Sequence, residues 1–349
     1  MSKKSPKVLV VATSSKTRGG ITSVIHAHQT GDVWSNYHCR WIETHIDRNV
    51  VAKLWRFFIS LTQFVFLIPF YDLVHIHFSL PPSAYRKYFF FRLAKLFRKK
   101  VIIHLHLSNQ IETIWNNLYE KFFAQADVAL VLSYVTEETI KKVLNGKKSN
   151  IKVLYNPIVS TPSTNKNSKQ PYILFAGTLD HNKGFRDLIC SFAKIANNHP
   201  EWKIVFAGNG EIDAGKQLAK ELGIEAQTVF LGWVNGEAKD KIFKEASIFC
   251  LPSYAEGFPM AVLDAWAYGL PVITTPVGGL PDVLVDGKNA LVFHSGDIVH
   301  LAKCLERLIS DDELRNAISK ESLNLSQTVF NIENINQQLA DIYKEILYQ

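Results

Sequence analysis

Residues 172–196 read YILFAGTLDHNKGFRDLICSFAKIA, and this order of elements decides the fold. Tyr172–Ala176 is an apolar run of strand length. Gly177 then turns the chain, and a loop carrying Lys183 leads to a helical stretch from about Phe185. A strand that ends on a glycine turn and feeds a helix is half of a βαβ unit. Downstream, Lys203–Ala207 runs into Gly208-Asn-Gly210, and Thr228–Leu231 runs into Gly232-Trp233. Ser247–Leu251, Pro271–Thr274 and Ala290–Phe293 are further short apolar runs. Upstream, Lys7–Ala12, Asp72–Phe78, Val101–Leu107, Val128–Ser133 and Ile151–Tyr155 alternate with helical stretches. Such alternation predicts parallel sheets covered by helices. The stretch 161–170, TPSTNKNSKQ, holds no large apolar residue and reads as a linker. The expectation is an α/β chain of two doubly wound, Rossmann-like parallel-sheet domains facing a cleft. Residues 1–165 form one and 166–331 the other, and a helix over about 332–349 is free to pack back on the first. Ligands of such sheets bind beyond the carboxyl ends of the strands.

Composition narrows the class. The chain has 349 residues, 47% apolar and 20% charged, which excludes a disordered or fibrous chain. Cys39, Cys190, Cys250 and Cys304 include no CxxC pair, which argues for reduced thiols rather than a disulfide framework or zinc knuckle. Val8–Ala12 is too short for a signal-peptide core. The uncharged stretch Phe57–Tyr71 has 15 residues, and a spanning helix needs about 20. A cytoplasmic protein that does not cross a membrane is expected. The net charge of +7 is unevenly spread: residues 1–165 carry 22 Lys+Arg against 9 Asp+Glu, and 166–349 carry 17 against 23. A half at +13 invites an anionic partner, although solvated surface charge is the simpler alternative.

The segment with most chemistry is Glu256-Gly-Phe-Pro-Met-Ala-Val-Leu-Asp264-Ala-Trp-Ala-Tyr-Gly269-Leu-Pro271-Val. Pro259 suits a first helical turn. The amides of Met260, Ala261 and Val262 are then expected at a helix N-terminus, where unpaired donors suit a phosphate. Glu256 in the preceding loop and Asp264 one turn in are poor phosphate ligands and good acceptors for sugar hydroxyls. A dipole-favoured aspartate and a surface glutamate would explain the pair equally simply. Lys183 can meet a diphosphate as a point charge. The P-loop pattern is absent, and Gly208-Asn-Gly210 is not GxGxxG. Trp233 follows a strand-end turn where a nucleobase could lie.

This set resembles the family 4 retaining glycosyltransferases of the GT-B fold. Glu256 and Asp264 match that family's E-x7-E, and Gly269 to Val272 its G-x-P-V turn. Lys183-Gly184, Gly208, Gly210 and Asp286-Gly before Ala290-Leu-Val-Phe extend the match across the C-terminal half. The N-terminal half matches more loosely, at Arg18-Gly19-Gly20, at Asp72-Leu-Val-His75-Ile-His77 and at Ile103-His-Leu-His106. The resemblance implies that Glu256 holds donor-sugar hydroxyls and Asp264 the ribose. It implies that Lys183 neutralises the diphosphate and that amides of Gly257 to Val262, with Phe258 among them, support sugar and phosphate. Gly177 and Thr178 would also lie against the donor, and Arg18, Gly19 and Gly20 on the diphosphate or acceptor side. Two positions depart: the second acid is the shorter Asp264, and Thr178 stands where the family often has arginine. Arg18 or Arg186 is the candidate replacement.

His75/His77 and His104/His106 are i, i+2 pairs, so each faces one side of its strand. His75 and His104 are expected buried and hydrogen-bonded. No metal-ligand spacing and no D-x-D motif is present, so no metal is expected. His106 ends its strand where the family places a histidine facing donor or acceptor, and with Glu256 it is the candidate catalytic residue. Tyr85–Lys100 carries seven basic residues and six aromatics in sixteen. It predicts a helix whose Arg86, Lys87, Arg92, Lys95, Arg98, Lys99 and Lys100 meet an anionic membrane; an ordinary core-facing helix is the alternative. The uncharged stretch Leu54–Phe70 adds to that face or is core. RNA patterns are absent, and no nucleic-acid partner is expected.

The combined expectation is a cytoplasmic, membrane-peripheral, retaining and metal-independent hexosyltransferase without cofactor. It would move a hexose or N-acetylhexosamine from a nucleotide diphosphate sugar, UDP ahead of GDP, to a lipid-linked glycan in bacterial surface polysaccharide biosynthesis. A nucleotide-sugar epimerase on the same fold is the enzymatic rival and a nucleic-acid-binding protein the non-enzymatic one.

Overall fold

The computed structural model describes residues 5–17, 19–107, 111–158 and 169–348. The chain forms two compact units, residues 1–159 with 330–349, and residues 160–329. In the first, β1 (Val8–Ala12), β2 (Arg40–Glu43), β3 (Leu73–Phe78), β4 (Lys100–Leu105), β5 (Val128–Val131) and β6 (Ile151–Val153) form one sheet in the order β2-β1-β3-β4-β5-β6. Every pair is parallel. β1, β3, β4 and β5 are apolar runs because both faces are covered. β2 was not expected. It lies at the sheet edge with only Ile42 fully buried, so Arg40, Trp41 and Glu43 hide it from an apolar-run reading.

The helix Ile332–Tyr348 belongs to the first unit. Its Ile335, Leu339, Ile342, Tyr343 and Ile346 join Val8, Val10, Leu73 and Ile102 in one core cluster. Polar contacts fix its register: the Tyr37 hydroxyl donates to the Ala340 carbonyl (3.0 Å), and the Tyr343 hydroxyl meets His75 Nδ1 (2.8 Å).

In the second unit, β7 (Tyr172–Ala176), β8 (Lys203–Ala207), β9 (Thr228–Gly232), β10 (Ile248–Leu251), β11 (Val272–Thr274) and β12 (Leu291–Val292) form a parallel sheet in the order β12-β11-β10-β7-β8-β9. All six predicted runs are strands here. The winding reverses between β7 and β10, which is the switch point where open α/β sheets leave a crevice beyond their carboxyl ends. In the first unit the reversal lies between β1 and β3.

Candidate active site

The loops that follow β7 and β10 meet at the switch point of the second sheet. Lys183 Nζ lies 2.6 Å from Glu256 Oε1, and the Ser253 hydroxyl donates to the same oxygen at 2.7 Å. The Glu256 side chain is 7% exposed and Lys183 27%. Sequence places these two residues 73 apart; the strand order brings them together. Three further contacts hold the loops. The Tyr254 amide donates to the Asn182 carbonyl (2.7 Å), and the Tyr254 hydroxyl donates to Asp187 (2.7 Å). The rings of His181 and Tyr254 stack at 4.8 Å.

Glycines shape the floor. Gly208 lies against the turn after β7, and a Cβ there would sit 1.7 Å from the Gly177 carbonyl oxygen. Gly184 adopts φ +67, and a Cβ there would meet the Pro252 carbonyl. The two turns are tied by Leu179 N–H to Asn209 O (2.8 Å), and Gly210 sits beside Leu179. Thr178 is exposed at the rim. Trp233 follows β9 and is 47% exposed.

Two details differ from the sequence reading of residues 256–264. Pro259 is the N-cap of the helix Met260–Ala267, not its first residue. The Val262 amide donates to the Pro259 carbonyl (3.1 Å), and the Val262 side chain is fully buried. Val262 therefore offers no amide to a phosphate. Met260 and Ala261 remain as first-turn amides, which lack an i−4 partner inside the helix. Gly257 supports the loop instead, through its carbonyl to the Gly279 amide (2.8 Å).

Asp264 does not stand alone. Lys239, on the helix Gly236–Glu245, donates to Asp264 Oδ2 at 2.6 Å. Desolvation pushes the Asp264 carboxyl above the ordinary aspartate range, and Lys239 opposes the shift. The side chain keeps 33% exposure, so that desolvation is partial. Lys239 was missed by sequence reasoning, because nothing in GEAKDKIFKE distinguishes it from a solvated helical lysine. Arg186, offered as the missing diphosphate cation, is paired with Glu211 (2.7 Å).

The first unit holds the remaining candidates. Gly19 caps the helix Gly20–Gln29 with φ 143. Arg18 lies outside the described residues. His106 follows β4, its Nε2 2.8 Å from His77 Nδ1. Burial pushes its imidazole down to about 3, with His28 adding to the shift, so it is neutral at physiological pH. It can orient or accept, and it carries no charge. His75 is buried and bonded to Tyr343 as expected, but His104 differs: it is buried with neither ring nitrogen partnered. Despite the lack of a metal-ligand spacing in sequence, ring nitrogens of His75, His77 and His104 lie within 4.8 Å of one another, a group that could hold a metal ion.

The basic segment is divided by the fold. The helix runs Ser83–Leu96, and Lys100 is already in β4. Lys87, expected at a membrane surface, is fully buried against the Thr44 hydroxyl, and burial holds its ammonium well below the usual lysine range. Phe90 and Phe91 are core. Lys95 and Lys100 both turn to Asp127, at 2.7 and 3.6 Å. Arg86 is half-buried and Lys99 donates to the Pro69 carbonyl (3.2 Å). Arg92 and Arg98 stay exposed.

With this geometry in place, the likeness to known proteins is specific. Residues 159–324 match the family model described as glycosyl transferases group 1. An uncharacterized glycosyltransferase of Methanocaldococcus jannaschii is 28% identical over 231 residues, 62% of this chain and 59% of that protein. The N-acetyl-alpha-D-glucosaminyl L-malate synthase of Bacillus anthracis is 28% identical over 298 residues, 79% of this chain and 75% of that protein. The crystal structure of Anabaena HepE in complex with UDP superimposes with a TM-score of 0.76 at 18% identity, covering 97% of this chain and all of that one. The fold is thus the two-domain GT-B type.

Proposed function

We propose that the chain is a retaining, metal-independent glycosyltransferase that takes a hexose or N-acetylhexosamine from a nucleotide diphosphate sugar, UDP ahead of GDP. The observation that carries this reading is the Lys183–Glu256 pair at the switch point of the second sheet. The lysine is held in reserve on the carboxylate. When a donor enters, its diphosphate attracts Lys183, and Glu256 is released to accept hydrogen bonds from sugar hydroxyls. Charge neutralisation by Lys183 and the first-turn amides of Met260 and Ala261 replaces a divalent ion. The departing diphosphate can then assist loss of the acceptor proton on the same face, so no enzyme nucleophile is needed. HepE complexed with UDP supports the uridine preference.

The acceptor in this reading is a lipid-linked glycan of bacterial surface polysaccharide biosynthesis, met on the inner face of the cell membrane. The +13 charge of residues 1–165 supports an anionic acceptor. A small anionic acceptor is the second reading, favoured by the relative named for L-malate.

The test is turnover with a donor identified by thermal shift. Glu256→Ala is expected to lower turnover by roughly 10²-fold or more, as for loss of a positioned polar group. Lys183→Ala is expected to weaken nucleotide diphosphate binding in calorimetry. Unchanged turnover in Glu256→Ala overturns the site.

A further inference from the structure

The helix Val50–Leu67 is apolar on both sides: Phe57, Leu61, Phe64 and Leu67 pack on the core, and a second apolar stripe faces outward. Between two strands of a parallel sheet, a crossover helix normally turns its apolar stripe to the core and polar residues to water. Here only Ser60 and Phe64 are buried. Val51, Leu54, Trp55 and Phe58 recur at i, i+3, i+4, i+7 and, with Phe66 further along, face outward, Trp55 67% and Phe66 72% exposed. With the turn that follows, Val50–Phe70 is long and apolar enough to cross a membrane: 21 residues, mean hydropathy 1.5, 17% buried. That differs from the expectation drawn from charge-free length alone.

The charge around it is one-sided. From Arg48 to Ile111 the sequence holds ten Lys/Arg and a single acid, Asp72. Arg56 is taken by Glu43. Arg48, Lys53, Arg92 and Arg98 make no ion pair among the described residues. Lys99 sits at the far end of the apolar stripe, on the Pro69 carbonyl. The stripe continues onto the neighbouring helix, where exposed Phe89 packs on Phe57 at 5.8 Å.

We propose that the outward face of Val50–Leu67, extended by Phe70 and Phe89, docks in the interface of an anionic lipid bilayer. This deepens the membrane-side reading of the acceptor given above and rests on it. Burying these side chains among acyl chains removes apolar area from water, and the surrounding cations meet headgroups. A second copy of this chain fits worse, because Arg48, Lys53, Arg92 and Arg98, which make no ion pair among the described residues, would oppose their like across a two-fold axis. The helix lies on the bilayer rather than crossing it. β2 and β3 hold both its ends to one sheet, and Phe64 packs on Phe90 at 5.2 Å.

The experiment is co-sedimentation of the full chain with vesicles of about one third phosphatidylglycerol in phosphatidylcholine, and with phosphatidylcholine alone. The wild type is expected to bind the anionic vesicles, and added salt to reverse binding only in part. Trp55→Gln/Phe58→Gln/Phe66→Gln together are expected to lower the partition coefficient at least ~10-fold. The UDP-induced rise in melting temperature, read on the same preparations, should be equal in wild type and variant. Loss of that rise in both would refute the donor site and leave the vesicle result standing. As a second measurement, brominated-lipid quenching of the wild type should vanish selectively in Trp55→Phe. Wild-type partitioning by the triple variant, or unquenched Trp55, overturns the proposal. So does a wild-type dimer in light scattering that ignores vesicles and becomes monomeric in the triple variant.

Discussion

Gly208 shows how one missing methyl can hold a site. Its α-carbon lies so close to the turn after β7 that a Cβ would stand 1.7 Å from the Gly177 carbonyl. The loop carrying Lys183 begins at that turn. Gly177 itself is different: a Cβ there meets only Phe175 and Lys183 side-chain atoms, at 3.7 Å and beyond. Gly208→Ala is therefore expected to destabilise the chain by more than ~2 kcal/mol, since backbone must move. Gly177→Ala should stay within ~1 kcal/mol of wild type on the same scale. Urea denaturation of the two variants decides it, and equal midpoints would remove the close-approach argument. Lys183 and Glu256 were legible in sequence as a loop lysine before a helix and a loop acid before a helix. Their contact was not, because it depends on β10 pairing with β7 rather than with β9. Lys239 was illegible altogether. Its role comes from the helix face it occupies opposite Asp264, which no local pattern encodes.

Among the elements, β3 and β4 carry an unusual load. His75, His77, His104 and the neighbouring His106 stack in the first sheet, with rings 4.3 to 5.4 Å apart. Burial, reinforced by neighbouring imidazoles, holds His75, His77 and His104 well below the ordinary value of 6.5 and His106 at about 3. Burial alone lowers His28, against the hydrogen bond its ring donates to Asn336 Oδ1. The sign follows from proton counting. Below pH 6.5 the unfolded chain binds protons that the native chain refuses, so this contribution is intact above 6.5 and is lost as pH falls. Each such histidine removes up to about 1.4 kcal/mol per pH unit. The free energy of unfolding is expected to drop by several kcal/mol between pH 7 and pH 5. His104→Leu should flatten that slope by close to one proton, since His104 has no partner to lose. Tyr343→Phe, which takes the hydroxyl from His75 Nδ1, should cost about 1–3 kcal/mol. Stability independent of pH over this range would contradict the neutral ladder.

For the molecule as a whole, the charge asymmetry and the donor loops make a joint statement about metal. The proposed neutralisation of the diphosphate uses Lys183 and helix-end amides, all from the second unit. The one candidate ligand group among the described residues, His75, His77 and His104, is in the first. Transfer activity is expected to persist in excess EDTA, measured as nucleoside diphosphate released in the presence of acceptor. Loss in EDTA, restored by manganese or magnesium, would show that the diphosphate is neutralised by an ion instead.

The strand positions could be read from sequence because a strand buried on both faces must be apolar along its whole length. That requirement wrote β1, β3, β4, β5 and the inner strands β7, β8, β10 and β11 of the second sheet into the chain as short apolar runs. The glycine turns and the 256–272 segment were visible for a related reason, since close approach and helix starts each demand particular residues. β2 escaped because an edge strand with one buried residue needs no such run. The fate of the two helices flanking β3 was also hidden. Periodicity shows which side chains share a face, but it does not say whether that face meets a core or solvent. That depends on what the rest of the chain has already covered. In the helix Ser83–Leu96 the fold drew Lys87, Phe90 and Phe91 inward, and in Val50–Leu67 it left Trp55, Phe58 and Phe66 outside. Burial is a property of neighbours distant in sequence, and only the assembled sheet supplies them.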